Sequence, residues 1–239
     1  MNPWEELDSV NLPGAKVMSL NRRGHEYSIR VGLQELMNSR MHASEEAMAG
    51  LALGGLAEAA KPRVLVGGLG MGFTLAACNA CLPPGAIVDV AELSEAVIRW
   101  NRGPLAELAG RPLDDGRVRV HQGDVRRLLE RSPGCYDAVL LDVDNGPHGL
   151  TQPSNAWLYG RKGLGRIRRA LKPGGVLSVW SAARDEGFTA RLRAERYSPE
   201  THMVRARPNG KGPKHTIWIA IAPGAAAKPD AGTERRGGS

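Results

Sequence analysis

Aromatic side chains are scarce, with two Phe, four Tyr and five Trp in 239 residues. No basic stretch is interleaved with aromatics, so a stacking platform for single-stranded nucleic acid has little support. Three cysteines, Cys78, Cys81 and Cys135, are too few for a disulfide framework, and a reducing cytoplasm is the expected compartment. Cys78 and Cys81 have C-x-x-C spacing, but no second cysteine pair or histidine pair completes four zinc ligands. They also fall late in their helix, away from the N-terminus that activates a redox thiol. Core packing is their expected role, and no metal site is expected. No apolar run approaches the roughly 18–20 residues of a membrane span. The opening MNPWEELDSV lacks the basic-then-apolar layout of a signal peptide. Internal repeats are absent as well. What remains is ordinary globular composition, 42% hydrophobic and 24% charged, with a net charge of +7. That charge reads as arginine on solvated faces rather than as a nucleic-acid footprint.

Taken in order, residues 1–15 read as irregular, broken by Pro3, Pro13 and Gly14. KVMSL, a turn at Asn21–Gly24 and EYSIRV predict a β-hairpin, with QELM as a further short strand. Ser44 is the expected N-cap of the next helix. Glu45 and Glu46 suit its dipole, and Ala47 and Leu51 are expected on its buried face. From Arg63 apolar strands alternate with helical segments: RVLV, AIVDVAEL, RVRVH, YDAVLLDV and VLSVW. A helix from about Leu158 to Leu171 precedes VLSVW and ends at Lys172-Pro173-Gly174-Gly175. Thr201–Arg207 and His215–Ala222 then close the sheet as antiparallel strands. The pattern predicts an α/β, doubly wound, mostly parallel sheet of Rossmann type. The expected division is an N-terminal β-hairpin extension (1–42), a nucleoside-binding domain (43–222) and a disordered tail (223–239).

RVLVGGLGMGFT is the centre of this pattern. A buried strand runs into Gly68, Gly70 and Gly72, and an apolar helix begins at Phe73. Glycines let the backbone turn sharply and a ligand approach, while the helix N-terminus faces whatever lies over the turn. Ligands of open α/β sheets bind at the carboxyl ends of the strands. Those ends carry Glu92, placed to accept both ribose hydroxyls, Asp124, placed to accept from an adenine amine, and Asp142, beside the reacting group. Each acid alone also reads as a helix cap or a solvated loop residue. Four features at four consecutive strand ends point to a nucleoside. The third glycine falls two residues after the second, not three, so S-adenosylmethionine suits the turn better than a dinucleotide. Weaker pocket candidates are His42, Arg40, Asp144, Asn145, His148, Trp157 and Tyr159.

VLVGGLGMGFTL, VDVAELSEAVIRWN, VRVHQGDVRRLL, YDAVLLDVDNGP and LGRIRRALKPGGVLSVWS together resemble the spermidine synthase family, within the class I methyltransferase fold. The resemblance implies a seven-stranded sheet and a subunit contact through the N-terminal hairpin, as in a homodimer. It implies that Gly68–Gly72 cradle the methionine part of the cofactor, Glu92 the ribose and Asp124 the adenine. Asp142 matches the family's proton-accepting aspartate. Two departures stand out. Met71 occupies the place of an aspartate in the turn, and the second aspartate-before-proline is out of step at Asp144, Asn145 and Pro147. With fewer carboxylates for a polyamine, the expectation is alkyl transfer, methyl first, from S-adenosylmethionine to a small-molecule acceptor. Aminopropyl transfer from decarboxylated S-adenosylmethionine is the alternative, and a non-catalytic nucleoside-binding module is the other class.

Overall fold

The computed structural model describes residues 2–143 and 157–224. Asp144, Asn145, His148 and the tail beyond Gly224 lie outside the described residues.

The N-terminal sheet is larger than the expected hairpin. Strands β1 (Glu5–Leu12), β2 (Lys16–Arg23), β3 (Glu26–Val31) and β4 (Gln34–Asn38) form a four-stranded antiparallel meander. The region read as irregular holds β1 because Pro13, Gly14 and Ala15 make a three-residue hairpin loop, with Leu12 paired to Lys16. Gly14 and Ala15 carry the positive φ values of 78° and 57° that such a loop needs. A bulge between Glu6 and Asp8 breaks the alternation of β1, which hides the strand from a period-2 reading. Met18, Leu20 and Ile29 anchor the sheet in the larger core. Asp8 fastens it further, accepting from Trp100 Nε1 at 2.7 Å.

The main sheet has seven strands: β5 (Arg63–Gly67), β6 (Ile87–Glu92), β7 (Val118–Gln122), β8 (Tyr136–Leu141), β9 (Leu171–Ser181), β10 (Ser198–Arg205) and β11 (Lys214–Ile221). Their order is β10-β11-β9-β8-β5-β6-β7, and β11 pairs antiparallel with both neighbours. This is the expected doubly wound sheet, with β11 inserted as the one reversed strand. The fully buried runs of β5 and β8 explain their near-continuous apolar sequence.

Helices α1 (Ala43–Leu53), α2 (Phe73–Cys81) and α3 (Glu95–Arg102) contribute to a core on one face. Helices α4 (Val125–Arg131), α5 (Arg161–Ala170) and α6 (Glu186–Ala194) contribute to the core on the other. Three sequence expectations shift. α5 begins at Arg161 and stops at Ala170. Leu171 opens β9 opposite Tyr136, and Val176 pairs with Ala138, so KPGG bulges out of the ladder around Gly174 (φ 76°). In α1 the cap position is His42, not Ser44. Its buried face is Met48, Ala49, Ala52 and Leu53, while Leu51 is exposed. Cys78 is buried and, like Cys81 and Cys135, is a free thiol. Among the described residues no helix is long and apolar enough to cross a membrane.

Candidate functional site

Strand β5 lies at the point where the order reverses, with β6 on one side and β8 on the other. The crevice beyond such a pair of strands is where an open α/β sheet binds ligands. Gly68, Gly70 and Gly72 all have positive φ, at 91°, 53° and 88°, a backbone that side chains resist. Two of them are also sterically committed. A Cβ on Gly68 would lie 2.2 Å from the carbonyl oxygen of Asp142 and one on Gly72 2.9 Å from Asn101 Oδ1, whereas one on Gly70 would meet only the flexible tip of Met37. The turn is held from behind by Asn101, whose Nδ2 donates to Gly70 O at 2.8 Å.

Glu92, at the end of β6, is drawn into the turn. Its carboxylate accepts from Leu69 N at 2.9 Å and Ser94 N at 2.8 Å. Burial pushes its carboxyl above the usual range, against these backbone hydrogen bonds. The backbone amides of Gly70 and Leu93 also favour its charged form. Asp124 caps α4, accepting from Arg126 N at 2.8 Å. Helix capping is thus a role it fills without any ligand.

Asp142 follows β8 and is tied to its neighbour strand by Asp142 N donating to Gly67 O at 2.9 Å. Its Oδ2 accepts from the Thr74 hydroxyl at 2.7 Å, in the first turn of α2. Burial raises its carboxyl from the ordinary value, and the Thr74 hydrogen bond opposes that rise. Asp142 lines a small cavity, ≈ 10 Å³, with Met37, Asn38, Glu45, Leu69, Gly70, Met71, Phe73 and Thr74.

Glu45 is the residue that sequence reasoning missed. Its place in the first turn of α1 reads as a dipole partner, and nothing in the sequence shows that α1 brings it to the end of β8. There its carboxyl is pushed up to about 8, first by burial and then by the charge of Asp142. The Ser44 hydroxyl donates to Glu45 Oε2 at 2.7 Å. Ser44 is fixed in turn by Trp180 Nε1, which donates to it at 3.0 Å, and by His215 Nδ1 at 2.8 Å. The seryl hydroxyl expected to cap α1 therefore orients a site carboxyl instead.

The remaining candidates are less central. His42 does not line the cavity but stacks on Phe73, which does, with centroids 4.3 Å apart. Arg40 pairs with Glu26 at 3.6 Å. Tyr159 is buried and donates to Val143 O at 3.0 Å, steadying the residue after Asp142. Trp157 lies under the Arg126 guanidinium. Met71 is buried and borders the cavity. The same cavity is bordered by Glu45 of α1.

Comparison with known proteins bears on the fold and on the kinship of the sequence. No protein-family profile matches the chain. It is 34% identical over 163 residues to polyamine aminopropyltransferase 2 of Pseudomonas aeruginosa, covering 61% of this chain and 42% of that one. It is 37% identical over 92 residues to the polyamine aminopropyltransferase of Nitrosomonas europaea, covering 38% of this chain and 27% of that one. The matched stretches thus span less than half the length of these curated relatives. Among solved structures, the spermidine synthase of Thermotoga maritima superposes with a TM-score of 0.70 at 16% identity, over 90% of this chain and 72% of that one. A spermidine synthase in complex with the transition-state analogue AdoDATO gives 0.69 at 15% identity, with the same coverage. At those identities the structural likeness is one of fold.

Proposed function

We propose that this spermidine synthase-like chain transfers an aminopropyl group from decarboxylated S-adenosylmethionine to the nitrogen of a small amine. The observation that carries this reading is the cavity against the glycine turn. Two carboxyl side chains, Asp142 and Glu45, line it, and among the described residues no Lys, Arg or His does. Such a lining favours cationic ligands, and both partners of this reaction are cationic. The expectation of methyl transfer rested on the missing carboxylate at Met71, and Glu45 removes that reason. The carboxylate of intact S-adenosylmethionine would add a third negative charge beside two that already crowd each other. The named relatives in sequence are aminopropyltransferases.

The donor's contribution, when bound, is a methylene carbon made electrophilic by the adjacent sulfonium. Gly68–Gly72 provide backbone approach to that end of it, Glu92 accepts from the ribose hydroxyls and Asp124 from the adenine amine. Asp142 takes a proton from the acceptor's ammonium, freeing the nitrogen lone pair. As the C–N bond forms, the C–S pair returns to sulfur, which becomes a neutral thioether. Thr74 holds the Asp142 carboxylate in register while this happens, and correct alignment supplies much of the acceleration in such displacements.

Calorimetric titration with the two donors checks this assignment. Decarboxylated S-adenosylmethionine should bind at least tenfold more tightly than S-adenosylmethionine. With an aliphatic diamine present, only the decarboxylated donor should be consumed, releasing methylthioadenosine. Preference for S-adenosylmethionine with methylation of the amine would replace the proposal by methyl transfer. Binding of neither donor would leave a non-catalytic module.

A further inference from the structure

Beyond its charge in the lining, the Glu45 carboxyl has been given no step in the transfer, yet it is held in the site by specific partners. Ser44 donates to it, Trp180 and His215 position Ser44, and the carboxyl borders the same ≈ 10 Å³ cavity as Asp142. The groups around it on every side are identifiable. On α1, Glu46 adds a further negative influence but is exposed and engages His42 Nδ1 at 2.9 Å. From β4 come Met37 and the Asn38 amide, and from α2 the Thr74 hydroxyl. Cys78, deeper in α2, is a thiol that burial keeps protonated. From β11, His215 touches Ser44 rather than Glu45, and burial lowers its basicity. Among the described residues, no cation borders this cavity to stabilise two anions.

Two desolvated carboxyls in one small cavity cannot both ionise cheaply, so they titrate as a pair. We propose that Glu45 is the second anchor for the acceptor's ammonium group, sharing one proton with Asp142 until the amine binds and then giving that proton up. The balance is simple. A singly protonated pair and an ammonium ion become a doubly ionised pair holding the ammonium, and one proton leaves to solvent. With both carboxylates ionised, Asp142 is free to accept the proton that the attacking nitrogen must lose. Glu45 meanwhile keeps the pocket's charge balanced.

This role rests on the aminopropyl-transfer reading, and two measurements on the full chain separate them. The first needs no turnover. With side-chain carboxyl ¹³C labelling of glutamate, the resonance missing from Glu45→Gln should titrate with a midpoint near 8. In Asp142→Asn that midpoint should fall by a unit or more. The second is calorimetry with 1,4-diaminobutane at pH 7 in buffers of different ionisation enthalpy. The wild type should release close to one proton per amine bound, and Glu45→Gln close to none, with at least tenfold weaker binding. Glu45→Asp should recover part of both. Ordinary carboxylate titration by Glu45, or equal proton release by wild type and Glu45→Gln with turnover intact, would overturn the Glu45 role alone. Absence of amine binding by the wild type would overturn the anchor and the transfer reading together.

Discussion

Replacing Asp142 by asparagine should lower kcat/KM for amine transfer by about 10²–10⁴-fold, the usual worth of a positioned general base, while the protein becomes harder to melt at alkaline pH. The first half follows from the proton. An ammonium has no lone pair to attack with, and Asp142 is the carboxylate that borders both the turn and the cavity. Asparagine keeps the shape and still accepts from Thr74, but it cannot take a proton. The second half follows from Glu45. Its folded-state value of about 8 lies above the ordinary 4.5, so this group's contribution is fully present below the ordinary value. It is lost as pH rises through 8, where the ionised carboxylate sits buried beside Asp142. Removing the Asp142 charge relieves that penalty. Steady-state kinetics and thermal melts at pH 6 and pH 9 report both effects. Activity within tenfold of wild type would exclude Asp142 as the base, whatever the melts do.

Asp89→Ala should destabilise the chain by about 3 kcal/mol, the lower end for removing one partner of a buried ionic cluster. Asp89 lies in β6 with 0% exposure. Its carboxylate accepts from Arg63 Nε on β5 at 2.7 Å and meets His121 Nε2 on β7 at 2.7 Å. Three adjacent strands are thereby clamped through one side chain. Alanine leaves the guanidinium and the ring without their acceptor and frees Arg63, which packs over Tyr136. Because Arg63 and His121 retain roughly a third of their exposure, water recovers part of the loss, which sets the estimate at the lower end. Urea unfolding of the wild type and variant gives the difference directly. A change under 1 kcal/mol would mean that the cluster is no clamp.

What the sequence disclosed follows the physics of each element. The glycine turn was legible because three closely spaced glycines after a buried strand answer a backbone demand, and all three have positive φ. Glu92 and Asp142 were legible because parallel strands end together, so acids at strand ends converge without any knowledge of side-chain packing. β1 was not, since its bulge and its charged residues conceal alternation. Ser44 was misassigned because a serine near a helix start is usually its cap, and only the approach of β9 and β11 gives it Trp180 and His215 instead. Glu45 was the largest omission. Its function comes from a contact between α1 and the end of β8, nearly a hundred residues apart in sequence, which no local pattern encodes. His42 shows the converse, a polar residue near the cleft that settles on Phe73 outside the cavity.

Met37 and Asn38 of β4 line the same small cavity as Gly70, so the N-terminal meander supplies part of the wall of the candidate site. A cavity of ≈ 10 Å³ has room for about one water, so a ligand group larger than water enters it only where a lining side chain such as Met37 gives way. Measured affinity is then the intrinsic affinity multiplied by the fraction of molecules in which it has done so. Substitutions in the meander that shift Met37 are thus expected to change ligand affinity without touching Asp142 or Glu45.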